Sequence, residues 1–171
     1  MTVAEEVAAF LGERCPVAFG IIGAGNAALF DAIARGGKTE IVCCHHEQAA
    51  VMAATAYYRV SGVATAALVT TGAGSTNAFT GVLSAHMDST PVVIIAGNEP
   101  TARPDIGRAR GVQGFNAVEV VRPMVKSAWR LTNPAAARST LNEAFRHAED
   151  GRPGPVWLEI PQDVQVTCRA A

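Results

Sequence analysis

Short apolar runs rich in β-branched residues alternate with helical patterns along almost the whole chain, and that alternation leaves few folds open. Residues 3–11 read as a helix, 17–22 as a strand, 27–34 as a helix and 40–44 as a strand. The pattern repeats with a helix over 47–60, a strand over 64–69, a helix over 75–87 and a strand over 91–96. Further on, 118–121 suggests a short helix and 125–129 a strand. Asn133-Pro134 then opens a helix over 135–148, with Asn as cap and Pro in the first turn. Residues 156–160 read as the last strand. Strands apolar on both faces and joined by helical crossovers imply a parallel sheet covered on both sides. The expectation is a single α/β domain over residues 1–171, a three-layer α/β/α arrangement around a mainly parallel six-stranded sheet.

Composition narrows the function more than the fold. A chain of 171 residues with 49% hydrophobic content is long enough to bury a substantial core. Its formal net charge of −1 provides no basic stripe for nucleic acid. No apolar run reaches the roughly 18 residues of a membrane span, and the amino terminus lacks a basic region followed by a signal-type core. A cytoplasmic protein with neither nucleic acid nor membrane as partner is the default. Cys15, Cys43, Cys44 and Cys168 lack framework spacing, so free thiols in a reducing compartment are expected. Cys43-Cys44-His45-His46 invites a zinc reading, but neighbouring strand residues point to opposite faces and do not converge on one ion. No metal site is assigned to this chain.

Glu47 is the chemically informative residue. It is a lone acid between the strand pattern Glu40-Ile41-Val42-Cys43-Cys44 and the small-residue helical run that starts at Ala49. A carboxylate entering so apolar a segment is desolvated unless something hydrogen-bonds it, which calls for a dedicated partner. The plainer reading is an acid in a first helical turn, favoured by the macrodipole and the free N–H groups there.

Two glycine turns compete for attention. Gly23-Ala24-Gly25-Asn26-Ala27-Ala28 follows a strand and opens a helix, as a dinucleotide fingerprint does. The next strand, however, ends in Cys43-Cys44-His45-His46 rather than in the acid that would take ribose hydroxyls. A second turn, Thr71-Gly72-Ala73-Gly74, would also be left without a role. Between residues 97 and 116 both periodicities lapse, and Pro100, Pro104, Gly107, Gly111 and Gly114 accumulate with Arg103, Arg108 and Arg110. A loop of that length inside a compact domain is functional or mobile.

Several segments together carry a family resemblance. His46-Glu47-Gln48-Ala49-Ala50 followed by Ala54-Thr55-Ala56-Tyr57-Tyr58-Arg59-Val60-Ser61-Gly62 resembles the acid-bearing segment of the pyrimidine-binding domain in thiamine diphosphate enzymes of the acetolactate synthase group. Thr70-Thr71-Gly72-Ala73-Gly74-Ser75-Thr76-Asn77 resembles that group's glycine-rich turn, and Ala85-His86-Met87-Asp88-Ser89-Thr90-Pro91 its following strand entry. Phe19-Gly20-Ile21-Ile22-Gly23 resembles its first strand, and Gly151-Arg152-Pro153-Gly154-Pro155 through Pro161-Gln162-Asp163-Val164 the close of the domain.

The resemblance implies a role for Glu47 as catalytic and cofactor-binding residue: it would hydrogen-bond a ring nitrogen of the cofactor's aminopyrimidine and so make the cofactor its own base. It places Gly23, Ala24, Thr71, Gly72 and Asn77 around the same cofactor, and Gln113 and Val112 beside the substrate, although Gln113 reads equally as a loop-fixing amide. His86 reads as a packed or interface histidine. The family holds diphosphate through Mg2+ bound by a Gly-Asp-Gly segment in a separate domain, and no Gly-Asp-Gly occurs here. The resemblance therefore implies one half of a split enzyme, completed by a diphosphate-binding subunit, in an α2β2 heterotetramer acting on a 2-oxo acid such as pyruvate. Ala24 stands where some decarboxylases of the wider family carry Asp or Ser, Ile22 replaces a common Pro, and Val112 replaces a Phe. The departures at Ala24 and Val112 favour decarboxylation followed by carboligation, and the one at Ile22 implies a different turn near the cofactor. The alternatives are a 2-oxo acid decarboxylase subunit of the sulfopyruvate or phosphonopyruvate type, or a dinucleotide-binding or noncatalytic module.

Overall fold

The computed structural model describes residues 1–102 and 113–168. Helix α1 (Val3–Arg14) starts from a capping box in which the Thr2 hydroxyl accepts from the Glu5 N–H at 3.2 Å and the Glu5 carboxylate accepts from the Thr2 N–H at 2.8 Å. The chain then alternates through β1 (Val17–Gly20), α2 (Ala27–Gly36), β2 (Glu40–Cys43), α3 (Glu47–Ser61), β3 (Thr65–Val69), α4 (Ala73–Met87) and β4 (Val92–Asn98). Beyond the undescribed residues come α5 (Ala117–Val121), β5 (Ser127–Arg130), α6 (Ala137–Glu149), β6 (Val156–Pro161) and α7 (Gln162–Val166). The strands form one sheet in the order β2-β1-β3-β4-β6-β5, and every pairing is parallel.

Strand alternation builds two cores from one sheet. On β3, Ala66 and Leu68 face the layer of α1, α2 and α6, where Phe10, Leu11, Leu29, Ile33, Leu141 and Phe145 are buried. Ala67 and Val69 face the opposite layer, where Ala50, Val51, Ala54, Ala78 and Val82 of α3 and α4 close over the sheet with Trp157 of β6. Small residues on α3 and α4 let these two helices approach each other and the sheet closely. The three-layer expectation is met.

The differences have physical causes. β2 carries an apolar pattern but lies at the sheet edge, and its residues are mostly exposed, Val42 among them. α3 packs across β1, β3 and β4 and leaves β2 uncovered on that face. β1 stops at Gly20, two residues short of the expected end, because the buried Asn26 side chain draws residues 21–23 into a turn. Asn133 does cap its helix, accepting from Ala135 N at 3.1 Å, but the first turn is a 3-10 turn over Pro134–Ala136 before α6 begins. α7 has no counterpart among the elements expected from periodicity. Val112 and the three arginines of the long loop lie outside the described residues.

Candidate active site at the carboxyl edge of the sheet

From β1 the chain crosses to β2 on one side and then returns to β3 on the other. The loops leaving β1 and β3 therefore diverge above adjacent strands, and such a switch point opens a crevice outside the carboxyl ends of a parallel sheet. Glu47, Thr71, Gly72 and the loop over 21–26 all follow carboxyl strand ends on this edge.

Asn26 braces the first wall. Fully buried, it accepts from Gly23 N at 2.7 Å and donates to Ile21 O at 3.0 Å. The Gly25 N–H donates to the Thr70 hydroxyl at 3.0 Å. A Cβ on Gly25 would run into the Thr71 hydroxyl, so the glycine serves the close approach of the two loops. The N–H groups of Gly23 and Gly25 are thus engaged within the protein, whereas a dinucleotide fingerprint presents such groups to a pyrophosphate. Together with the missing ribose acid, this removes the support for the nicotinamide reading.

From the other end of the chain, α7 holds the same loop. Gln162 Nε2 donates to Ala24 O at 2.6 Å, and Gln165 Nε2 donates to Gly25 O and Ile160 O, both at 2.7 Å. Between them, Asp163 accepts from the Thr101 N–H and hydroxyl and from Val164 N. Burial works against the charged form of Asp163, but these hydrogen bonds hold its carboxyl below the ordinary range. Gln165→Leu keeps the volume and deletes donors to two buried carbonyls, so we expect a loss of about 2 kcal/mol in denaturant unfolding. An unchanged midpoint would show that the clasp contributes nothing.

The second wall carries the acid. The His46 Nδ1 accepts from Gln48 N at 3.2 Å, capping α3, and Glu47 begins the helix with only 7% of its surface exposed. Its Oε2 accepts from Asn77 Nδ2 on α4 at 3.0 Å. Its Oε1 accepts no hydrogen bond from the described residues and lies over Gly74, where a Cβ would stand 3.0 Å away. Both readings of Glu47 therefore hold: it is a first-turn acid, and it has a dedicated side-chain partner. Gly72 takes a left-handed φ of 62° to turn β3 into α4, and a Cβ there would meet the Gln113 carbonyl. The Thr70 methyl bridges the walls, lying against the open sides of both Gly23 and Gly74.

The sequence-derived residues Glu47, Gly23, Ala24, Thr71, Gly72 and Asn77 come together on this edge. Gln113 approaches Gly72 through its main chain, its side chain is exposed, and the loop residues just before it, which it was expected either to fix or to leave for the substrate, lie outside the described residues. Ala24 and Ile22 are exposed at the mouth. His86 lies nine residues beyond Asn77 on α4, roughly 13 Å along the helix axis, and so away from the acid. Sequence reasoning missed Asn26, Thr70, Gln162 and Gln165. Asn26 had a signal, since Asn is a preferred residue just before a helix. The glutamines had none, because their acceptors lie 138 and 140 residues away. Among the described residues no group of three His, Cys, Asp or Glu side chains could hold a metal, and burial pushes the Cys15 thiol up to about 11, well out of the reactive range.

Fold and site define a parallel α/β ligand-binding domain with a buried, half-partnered carboxylate at its switch point. The chain belongs to the thiamine pyrophosphate enzyme family, matching its N-terminal TPP binding domain over residues 1–120. It is 39% identical over 145 residues to the acetolactate synthase large subunit of Haemophilus influenzae, covering 85% of this chain and 25% of that protein. A probable acetolactate synthase large subunit of Methanococcus aeolicus is 35% identical over 159 residues, covering 93% and 26%. The Corynebacterium glutamicum large subunit is 34% identical over 169 residues, covering 96% and 26%. The chain thus spans about a quarter of the length of the curated relatives it matches. No helix among the described residues is long and apolar enough to cross a membrane.

Proposed function

We propose that this chain supplies the pyrimidine-facing half of a thiamine diphosphate site, and that a separate subunit supplies the diphosphate-binding half with its Mg2+. The observation that carries this reading is the state of Glu47: a buried carboxylate with one oxygen fixed by Asn77 and the other uncommitted to any of the described residues at the switch-point crevice. The fit to an aminopyrimidine rests on Gly74, whose missing Cβ leaves Oε1 open to a ring nitrogen.

Thiamine diphosphate, when bound, supplies the electron sink that allows a 2-oxo acid to lose carbon dioxide. The protein residues orient it and manage one proton. Asn77 holds Oε2 and so fixes the plane of the carboxylate. Oε1 would then share a proton with the pyrimidine nitrogen, at a carboxylate that is itself largely buried. The braced loop over 21–26 presents Ala24, which has no group to carry a proton. With the exposed Gln113, and with Val112 standing in the sequence where the resembled group carries a Phe, this favours capture of the decarboxylated fragment by a second carbonyl, as in carboligation on pyruvate. The acetolactate synthase relatives support that direction by name. The α2β2 assembly and the cytoplasmic location belong to the same reading.

Two measurements test it. Calorimetry and a carbon dioxide release assay on the pure chain should show neither tight thiamine diphosphate binding nor turnover of pyruvate, and both should appear with the diphosphate-binding subunit. Tight binding or turnover by the chain alone would sink the split-site reading. With the reconstituted pair, acetolactate- or acetoin-type products should dominate, whereas acetaldehyde as sole product would move the assignment to the decarboxylase alternative.

A further inference from the structure

The opposite edge of the sheet carries a second feature, independent of the site above. Two motifs noted in the sequence, Ala85-His86-Met87-Asp88 and Gly151-Arg152-Pro153-Gly154, have no part in the crevice at the carboxyl edge. The fold brings them together where β4 and β6 begin, and Lys126, one residue before β5, joins them. His86, Met87, Lys126, Arg152 and Pro153 line a cavity of about 380 Å³. That volume lies within the range of roughly 300–1,000 Å³ typical of small-molecule sites.

Its charge is one-sided. The lining holds an ammonium, a guanidinium and an imidazole, and no carboxylate. The acids in the flanking turns are paired elsewhere: Asp88 with Arg59 at 2.6 Å, Asp150 with Arg146 at 2.8 Å and Glu149 with Arg14 at 2.9 Å. The basic groups are also held in place. Arg152 Nε donates to the Ser89 hydroxyl at 2.7 Å, which steers the guanidinium and leaves its other donors for a ligand. Lys126 donates to the Asp150 carbonyl, and its stem packs over Gly154, so the ammonium retains two further protons. Met87 and Pro153 supply an apolar wall beside these donors.

We propose that this cavity is an anion site for a phosphate group, carried on a small molecule with a short apolar body. Arg152 and Lys126 pair with the phosphate oxygens, His86 contributes a third donor, and the body lies on Met87 and Pro153. A tetrahedral dianion suits these groups because several charge-assisted hydrogen bonds form at once, and the guanidinium fork matches two of its oxygens.

The test needs only the pure chain. At constant ionic strength, inorganic phosphate and butyl phosphate are titrated with chloride as the control anion. Binding is read by calorimetry and by amide shifts of residues 86–89, 126, 151, 152 and 154. Saturable binding of phosphate, confined to those amides and weakened by added salt, is the expected result. Tighter binding of the butyl ester would assign the site to a phosphomonoester, and equal binding would assign it to free phosphate. Arg152→Gln and Lys126→Met are each expected to weaken binding about tenfold while the circular dichroism stays that of the parent. Two variants keep the test open if one of them folds poorly. Absence of saturable phosphate binding would overturn the site, as would binding that both folded variants retain in full.

Discussion

Replacing Glu47 by Gln is expected to leave the fold in place and to slow the reconstituted enzyme by about a hundredfold or more, the range for loss of a positioned acid–base group. The substitution is nearly isosteric, and the amide can still accept from Asn77 through its oxygen. What it loses is the ability of Oε1 to share and take up a proton at the pyrimidine nitrogen. Exchange of the cofactor's thiazolium proton, measured separately from turnover, isolates this step from any effect on the substrate. Thermal unfolding of the variant chain should stay close to the parent, because the buried carboxylate gives way to a neutral group of the same shape. An exchange rate equal to that of the parent would remove Glu47 from the chemistry and leave it as a first-turn acid alone. Asn77→Ala is the companion variant, and it should lower the same rate by a smaller factor, since it loosens the carboxylate without deleting it.

The largest stability effect is expected from Arg130→Met. Glu159 of β6 is only 1% exposed, and one of its oxygens pairs with Arg130 Nε on the neighbouring strand. Its other oxygen is buried without a hydrogen-bond partner among the described residues. Arg130 also donates to Asn116 Oδ1 at 3.0 Å, and Asn98 Nδ2 donates to Phe115 O at 2.9 Å, so the pair anchors the stretch that leads from Gln113 to α5. Met in place of Arg130 keeps the stem and strands a buried carboxylate. The expected cost is about 3 kcal/mol, toward the low end for breaking a buried pair because Arg130 is itself partly exposed. The double variant Arg130→Met with Glu159→Leu should recover most of that loss, since removing both charges also removes the desolvation penalty. Denaturant titration of the parent, the two single variants Arg130→Met and Glu159→Leu, and the double variant gives the coupling directly. A single variant within about 0.5 kcal/mol of the parent would show that the pair is neutral.

Where the sequence was legible, periodicity made it so. The strands and the long helices were readable because each buries a repeating face, and burial writes itself into the spacing of apolar residues. β2 shows the limit: Ile41-Val42-Cys43 has the composition of a covered strand, yet it forms an exposed edge, since the path of α3 and not the composition of β2 decides what is covered. α7 was invisible for a related reason. Five residues of Gln-Asp-Val-Gln-Val carry no full period, and the side chains that matter reach carbonyls and amides far away in the sequence.

The candidate site divides along the same line. An acid in an apolar segment is anomalous by its position in the chain alone, because its desolvation demands an answer, and Glu47 stands out on that ground. The family resemblance placed Asn77 and the Thr71-Gly72 turn around the same cofactor. Only the tertiary structure showed that Asn77 takes one carboxylate oxygen and leaves the other open, since that depends on the packing of α3 against α4. It also showed how the first glycine turn is used. In the fold, the N–H groups of Gly23 and Gly25 are bound to Asn26 and Thr70, and hydrogen bonds between distant segments leave no trace in local composition. The sequence by itself determined the α/β architecture and the acid, because both follow from where apolar surface and charge fall along the chain. Which groups are already paired, and which stay free to meet a ligand, was decided by contacts that exist only once the strands are assembled.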